Sequence, residues 1–226
     1  MTEARRHLVV VDLETTGLHD DAAILEVAAV NVDTGEELHF VPFLAPEALA
    51  KAEPKALQIN RYFERGLFEQ ALTAERTMDS YRQLQVMLRG NTFGGSNPAF
   101  DSALVARAVI AIEVSWLSSP KRHAPPPYVE TVGRVWHHRL GDLAAYAAGP
   151  LGIDVRELEG LDQVLGRLGM EALGDGRHTA LGDARATVAA FMALEGHVRR
   201  RAADAVLVPT LTLQRMAELR DHLRGQ

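Results

Sequence analysis

The stretch VVVDLETTGL, residues 9 to 18, constrains the fold more than any other. Val9, Val10 and Val11 call for a buried strand, because β-branched side chains pack well on a pleated sheet. The run then carries two acids, Asp12 and Glu14, directly before Thr15-Thr16-Gly17. Side chains two apart on a strand point to the same face, so these acids crowd together where the strand leaves the core. Like charges held close repel, and burial raises the cost. A fold built around this strand must offset that charge.

The rest of the chain supplies the partners for such a strand. Residues 7 to 12 read as the first strand, and 24 to 32 and 36 to 43 as two more, joined by the turn Asp33-Thr34-Gly35. Pro46 and Pro54 mark helix starts in a mixed stretch, and 76 to 88 looks helical. A short strand at 91 to 96 leads into Asn97-Pro98, an N-cap and first-turn proline for a helix through about Ile112. Along it, Phe100, Leu104 and Ala108 share a face. Residues 118 to 127, SSPKRHAPPP, read as a stiff connector. A fifth strand is expected near Trp136 to Leu140, with helices near 142 to 149 and 161 to 168. A long helix starts about Thr179, where Leu181, Ala184, Val188, Phe191 and Val198 form a stripe. Beyond Pro209 a separate amphipathic tail helix is expected, with Leu213, Met216, Leu219 and Leu223 on its apolar side. Strands first, then strands alternating with helices, indicate an α/β fold with a mixed sheet.

Composition limits the chemistry. The 226 residues include no cysteine, which excludes disulfides and thiolate metal sites and leaves oxygen and histidine as ligands. No stretch is apolar for long enough to span a membrane, and the N-terminus does not read as a signal peptide, so a cytoplasmic location is expected. The net charge of −6 argues weakly against a nucleic-acid partner. That sum misleads if the acids are gathered around divalent cations. Lys51, Lys55 and Lys121 are the only lysines. The arginine bias suits phosphate contacts, but a GC-rich genome accounts for it equally well.

Three carboxylate motifs stand out. Taken singly they are unremarkable: Asp12 and Glu14 read as a turn cap and a solvated acid, Asp101 in NPAFD as an acid favoured by a helix dipole, and His178 in HTALGD as a structural polar residue. Taken together, Asp12, Glu14, Asp101 and Asp183 all fall at the ends of elements beside core segments. Oxygen-only donors are what Mg²⁺ and Mn²⁺ prefer, and four carboxylates can hold two such ions for phosphoryl displacement.

DLETTG at 12 to 17, NPAFD at 97 to 101 and HTALGD at 178 to 183 together resemble the histidine-containing branch of the DEDD 3′–5′ exonucleases. That branch includes bacterial proofreading epsilon subunits (DnaQ-like proteins), ribonuclease T and oligoribonuclease. ILEVAAV at 24 to 30 and LGDLAAYAAGPLGI at 140 to 153 also fit. The resemblance implies a ribonuclease-H-like fold, a mixed five-stranded sheet flanked by helices on both faces. It assigns residues 1 to 198 to the exonuclease domain and leaves 199 to 226 as a C-terminal helical extension. It implies two Mg²⁺, replaceable by Mn²⁺, held by Asp12, Glu14, Asp101 and Asp183, with His178 as the general base. Backbone at Leu13 and Thr15 would meet the terminal 3′-hydroxyl, Leu18 would pack against the last bases, and Asn97 would be a polar group of the site after its capping role. Core packing is the competing reading for Leu18.

The activity so implied is 3′–5′ hydrolysis of single-stranded nucleic acid, DNA favoured over RNA, releasing 5′-nucleoside monophosphates. RNA trimming within the same family is the alternative. A polymerase-tethered subunit with a vestigial site is the non-enzymatic one, and the presence of all five expected site residues argues against it. An aspartyl-phosphate phosphatase is disfavoured because Glu14 stands where its second Asp is needed. His137, His138 and the Arg199–Arg201 run read as surface groups. The tail is expected to pack back on the domain, with docking to a polymerase or to a second copy as the other option.

Overall fold

A computed structural model describes residues 5–19, 21–117, 134–170 and 174–224. The connector at 118 to 127 lies outside them. In chain order the elements are β1 (Leu8–Thr15), β2 (Ile24–Asn31), β3 (Glu37–Phe40), α1 (Pro46–Leu49), α2 (Pro54–Ile59), α3 (Leu67–Gln70), α4 (Ala74–Leu88) and β4 (Thr92–Gly95). Then follow α5 (Pro98–Leu117), β5 (Gly141–Asp142), α6 (Leu143–Leu151), α7 (Leu161–Arg167) and α8 (Ala180–Arg224). The strands form one sheet in the order β3-β2-β1-β4-β5. β1 to β3 are antiparallel, and β4 and β5 are parallel to β1. This is the mixed five-stranded sheet that the resemblance implies.

β1 shows why the alternation of its side chains decides the site. Val9, Val11 and Leu13 pack on one face with Val27, Phe40, Leu84, Phe93 and Leu104, under α4 and α5. Val10 faces the other way, against Ala28, Leu143, Ala184 and Leu194, under α6 and α8. Asp12 and Glu14 continue the row of Val10, so both acids face α8. The strand does not stop at residue 12, as the sequence suggests, but runs on to Thr15. The reason is β2, which pairs with β1 as far as Thr15 and carries Ala28 opposite Asp12. β4 pairs only with Leu8 to Val10, so the far half of β1 has an open edge.

Glycines allow the centre of the sheet to close. Leu8 Cδ1 lies 2.7 Å from where a Cβ on Gly94 would stand and 2.9 Å from that on Gly141. Leu8 therefore covers two strands at once, and a side chain at either glycine would displace it.

Three expectations need correction. The fifth strand is Gly141–Asp142 rather than Trp136 to Leu140. Trp136 is buried because its ring packs on Phe93 at 5.1 Å, and its neighbours bond the α4–β4 corner, His137 N–H to Asn91 O at 2.8 Å. Apolar content there reflects burial, not ladder pairing. Second, α8 continues through Pro209 without a break. Proline removes one backbone donor, but the alanines before it and the Leu, Gln, Arg, Met and Glu residues after it are strong helix formers that carry the helix across. Third, Val198 is exposed, as is Met216 at 64%, so at Met216 the tail does not pack back on the domain. The side chains of Leu213, Leu219 and Leu223 lie outside the described residues.

Candidate active site

Asp12 and Glu14 meet Asp183 where α8 begins. One carboxylate oxygen from each lies within 4.8 Å of the others, among the described residues the one such group of metal-ligand type. The helix brings Asp183 there because Ala180 and Ala184, without bulk, let its first turn sit on the sheet beside Val10 and Ala28. Asp101, 6% exposed in the first turn of α5, reaches the same place around the open edge of β1, where the Leu13 N–H donates to its carboxylate. It stands outside the group of three but close enough to act on Asp12.

The electrostatics are those of a site short of positive charge. Burial and the charges of Asp101, Asp183 and Glu14 push the Asp12 carboxyl well above its usual range. Burial, with Asp183 and Glu26 beyond it, pushes Glu14 up to about 8. Burial likewise raises Asp101 to about 8, against the two N–H groups that favour its charge. Asp183 is also raised by burial, although Arg177 pulls it down. Arg177 donates to Asp183 Oδ1 and to Asp162 on α7, the latter at 2.7 Å. Arg177, with Arg65 acting on Glu14 from beyond, does not offset four acids. Crowded hard oxygen donors, each pushed toward its protonated form chiefly by burial, are a donor set that fits Mg²⁺ or Mn²⁺.

His178 sits on the turn just before α8. Its side chain is exposed and its φ is 57°, a left-handed conformation uncommon for residues other than glycine. Its N–H donates to Asp183 Oδ2 at 3.3 Å. The imidazole lies close enough to act on Asp183 but is not one of the acids' ligand group.

The remaining candidates line a cavity of about 440 Å³ that opens from the acids. Leu13, Thr15, Leu18, Asn97 and Phe100 all border it, together with Asn60. Thr16 N–H turns toward β2, bonding Ala23 O at 2.9 Å, so the backbone of Thr15 turns to the open edge, where Asn60 Nδ2 donates to its carbonyl at 3.3 Å. Leu18 is 81% exposed, which rules out core packing. The N–H groups of Phe100 and Asp101 bond Asn97 through its carbonyl, at 3.1 and 3.4 Å.

Sequence reasoning missed Glu26, Arg65, Asn60, Asp162 and Arg177. Only Glu26 left a signal, a lone acid within the apolar run ILEVAAV. The others sit in ordinary polar sequence; Arg65 and Arg177 reach the site through long side chains, and Asn60 and Asp162 are brought there by the fold.

Residues 9–191 match the model of a family described as exonuclease (RNase T). No curated protein is similar enough in sequence to match. The fold is similar to exonuclease I in its apo form, with a TM-score of 0.58 and 16% identity over 87% of this chain and 43% of that one. A zinc-bound E. coli exonuclease I–single-stranded DNA complex gives a TM-score of 0.60 at 18% identity, over 90% and 43%. A moderately thermophilic exonuclease I from Methylocaldum szegediense gives 0.55 at 18%, over 84% and 40%. At such identities the likeness speaks for the fold. The chain spans less than half the length of each.

Proposed function

The chain belongs to this exonuclease family, and from that membership we propose that it is a divalent-metal-dependent 3′–5′ exonuclease that hydrolyses phosphodiester bonds at single-stranded 3′ ends. The observation that carries the reading is the meeting of Asp12, Glu14 and Asp183 within 4.8 Å. Asp101 lines the same cavity as Asp12 and Glu14. These four would hold two Mg²⁺, or Mn²⁺ in their place. Bound there, such cations supply the positive charge that stabilises the attacking and departing oxygens of an in-line displacement.

The chain's own residues do the rest. His178, exposed beside Asp183, takes the proton from the attacking water. Imidazole is the side chain most often used as a general base. Leu13 and Thr15 offer backbone at the open edge of β1 to the terminal 3′-hydroxyl. Leu18 and Phe100 border the terminal bases, and Asn97 supplies a polar group. The products are 5′-nucleoside monophosphates. Single-stranded DNA is favoured as the substrate because E. coli exonuclease I, whose fold is similar, is described in complexes with single-stranded DNA and with a dT13 oligonucleotide. No helix among the described residues is long and apolar enough to cross a membrane.

A digestion panel tests the proposal. Single- and double-stranded DNA and RNA, labelled at the 5′ end, are incubated with Mg²⁺, Mn²⁺ or EDTA. A ladder shortening from the 3′ end, with metal only, is expected. Full turnover in EDTA, or shortening from the 5′ end, overturns the reading.

A further inference from the structure

Glu26 is a buried acid with no part in the proposed reaction. It lies in the middle of β2, 1% exposed, opposite Glu14 and on the same face. A carboxylate so placed is costly unless donors surround it. Three do: His39 Nε2–H donates at 2.8 Å, Arg65 Nη2–H at 2.6 Å and the Ala180 N–H at 3.2 Å. Burial works to raise its pKa, but these donors outweigh burial and hold it at about 2. Glu26 is thus a fixed anion under the start of α8.

Its arginine partner has a second hand. Arg65 Nη1 donates to the carbonyl of His178 at 3.3 Å and to that of Asn60 at 3.2 Å. Glu26 and Arg65 between them grip the carbonyl of His178 and the N–H of Ala180, on either side of Thr179. His178 needs such a grip. Its left-handed backbone, at a φ of 57°, is a conformation that residues other than glycine hold only where the surroundings fix it.

We propose that Arg65, seated on Glu26, is a positioning residue that fixes the backbone of His178 and so the place of its imidazole beside Asp183. This rests on the general-base role given to His178 above. The same fork fixes Asn60 in the cavity wall, so base and cavity share one anchor. Geometry, not charge, does the work. A planar guanidinium reaches a carboxylate and two carbonyls at once, whereas an ammonium is a point charge that cannot span them.

Arg65→Lys is the informative variant, since it keeps a cation against Glu26 and with it the fold. Three readouts are compared in the wild type, Arg65→Lys, His178→Ala and the double variant. Amide exchange across residues 177–181, measured in EDTA, should quicken in Arg65→Lys. With Mg²⁺ and a 5′-labelled single-stranded oligonucleotide, kcat should fall by about 10- to 100-fold while KM stays within about threefold. In the His178→Ala background the same change should cost less than about twofold, because it acts through the missing imidazole. Mn²⁺ affinity by calorimetry should stay within about threefold, since Arg65 bonds none of the four acids and the turn meets them only through the His178 N–H on Asp183.

An equal fall in both backgrounds would make Arg65 a direct phosphate contact and overturn the proposal. So would a near wild-type kcat for Arg65→Lys, unaltered exchange at 177–181, or Mn²⁺ binding weakened beyond that limit. An inactive wild type or an unimpaired His178→Ala instead overturns the catalytic reading, and the exchange data still decide whether Arg65 holds the turn.

Discussion

Metal binding to this site should expel protons, and the number follows from the acids. Glu14 and Asp101 are both pushed up to about 8, chiefly by burial, from ordinary values of 4.5 and 3.8. At pH 7 a carboxyl with that pKa keeps its proton roughly nine-tenths of the time. A cation binds the carboxylate form, so its arrival must release the protons of both groups, at least about two in all once Asp12 and Asp183, raised for the same reason, are added. By linkage the apparent affinity should rise steeply, by about 10- to 100-fold per pH unit below pH 8, and level off above it. The assay is calorimetric titration of Mn²⁺ into chelator-stripped protein at pH 7, in buffers of different ionisation enthalpy. The slope of observed enthalpy against buffer enthalpy counts the protons. Glu14→Gln should lower the count by about one. Zero release at pH 7 with pH-independent affinity would refute the reasoning, because the four acids would then be ionised already and their crowding would be offset by something other than a bound cation.

The same shifts govern stability in EDTA. Glu14 and Asp101 keep their protons in the folded protein at pH values where the unfolded chain has lost them, so the melting temperature should fall as pH rises from about 5 to about 8, and added Mg²⁺ should recover it. A flat profile across that window counts against the buried charge. Asp12→Asn removes a like charge from the cluster while keeping its shape; turnover should drop by at least about 10²-fold with no loss of melting temperature in EDTA. Near wild-type digestion by this variant would remove Asp12 from the site. Gly182→Ala would drive a Cβ into the carbonyl of Gly176, on the turn that carries His178. Loss of about 1–3 kcal/mol of stability and a lower kcat should follow, read by denaturant melts and turnover. A neutral result would show that the turn is not packed as described.

By itself the sequence determined the elements whose signal is local. Val9 to Val11 before two acids marked a central strand, Asp33-Thr34-Gly35 a hairpin, and Asn97-Pro98 the start of a helix, because turn, cap and strand preferences belong to a few adjacent residues. It also marked Asp12, Glu14, Asp101, His178 and Asp183, not singly but because three short motifs carry them in one order along the chain. Tertiary structure alone decided how these meet. That Asp12 and Glu14 face α8 depends on which side of β1 receives Val10, and that choice is made by helices more than a hundred residues away. The end of β1 at Thr15 depends on pairing with β2, and the true β5 depends on where glycines let β4 be approached. Trp136 looked like a strand residue because burial and strand pairing select the same apolar side chains. Arg65 was invisible for a different reason. A long flexible side chain in a polar segment can end anywhere, and only the folded chain shows that this one ends between a buried glutamate and the backbone of His178.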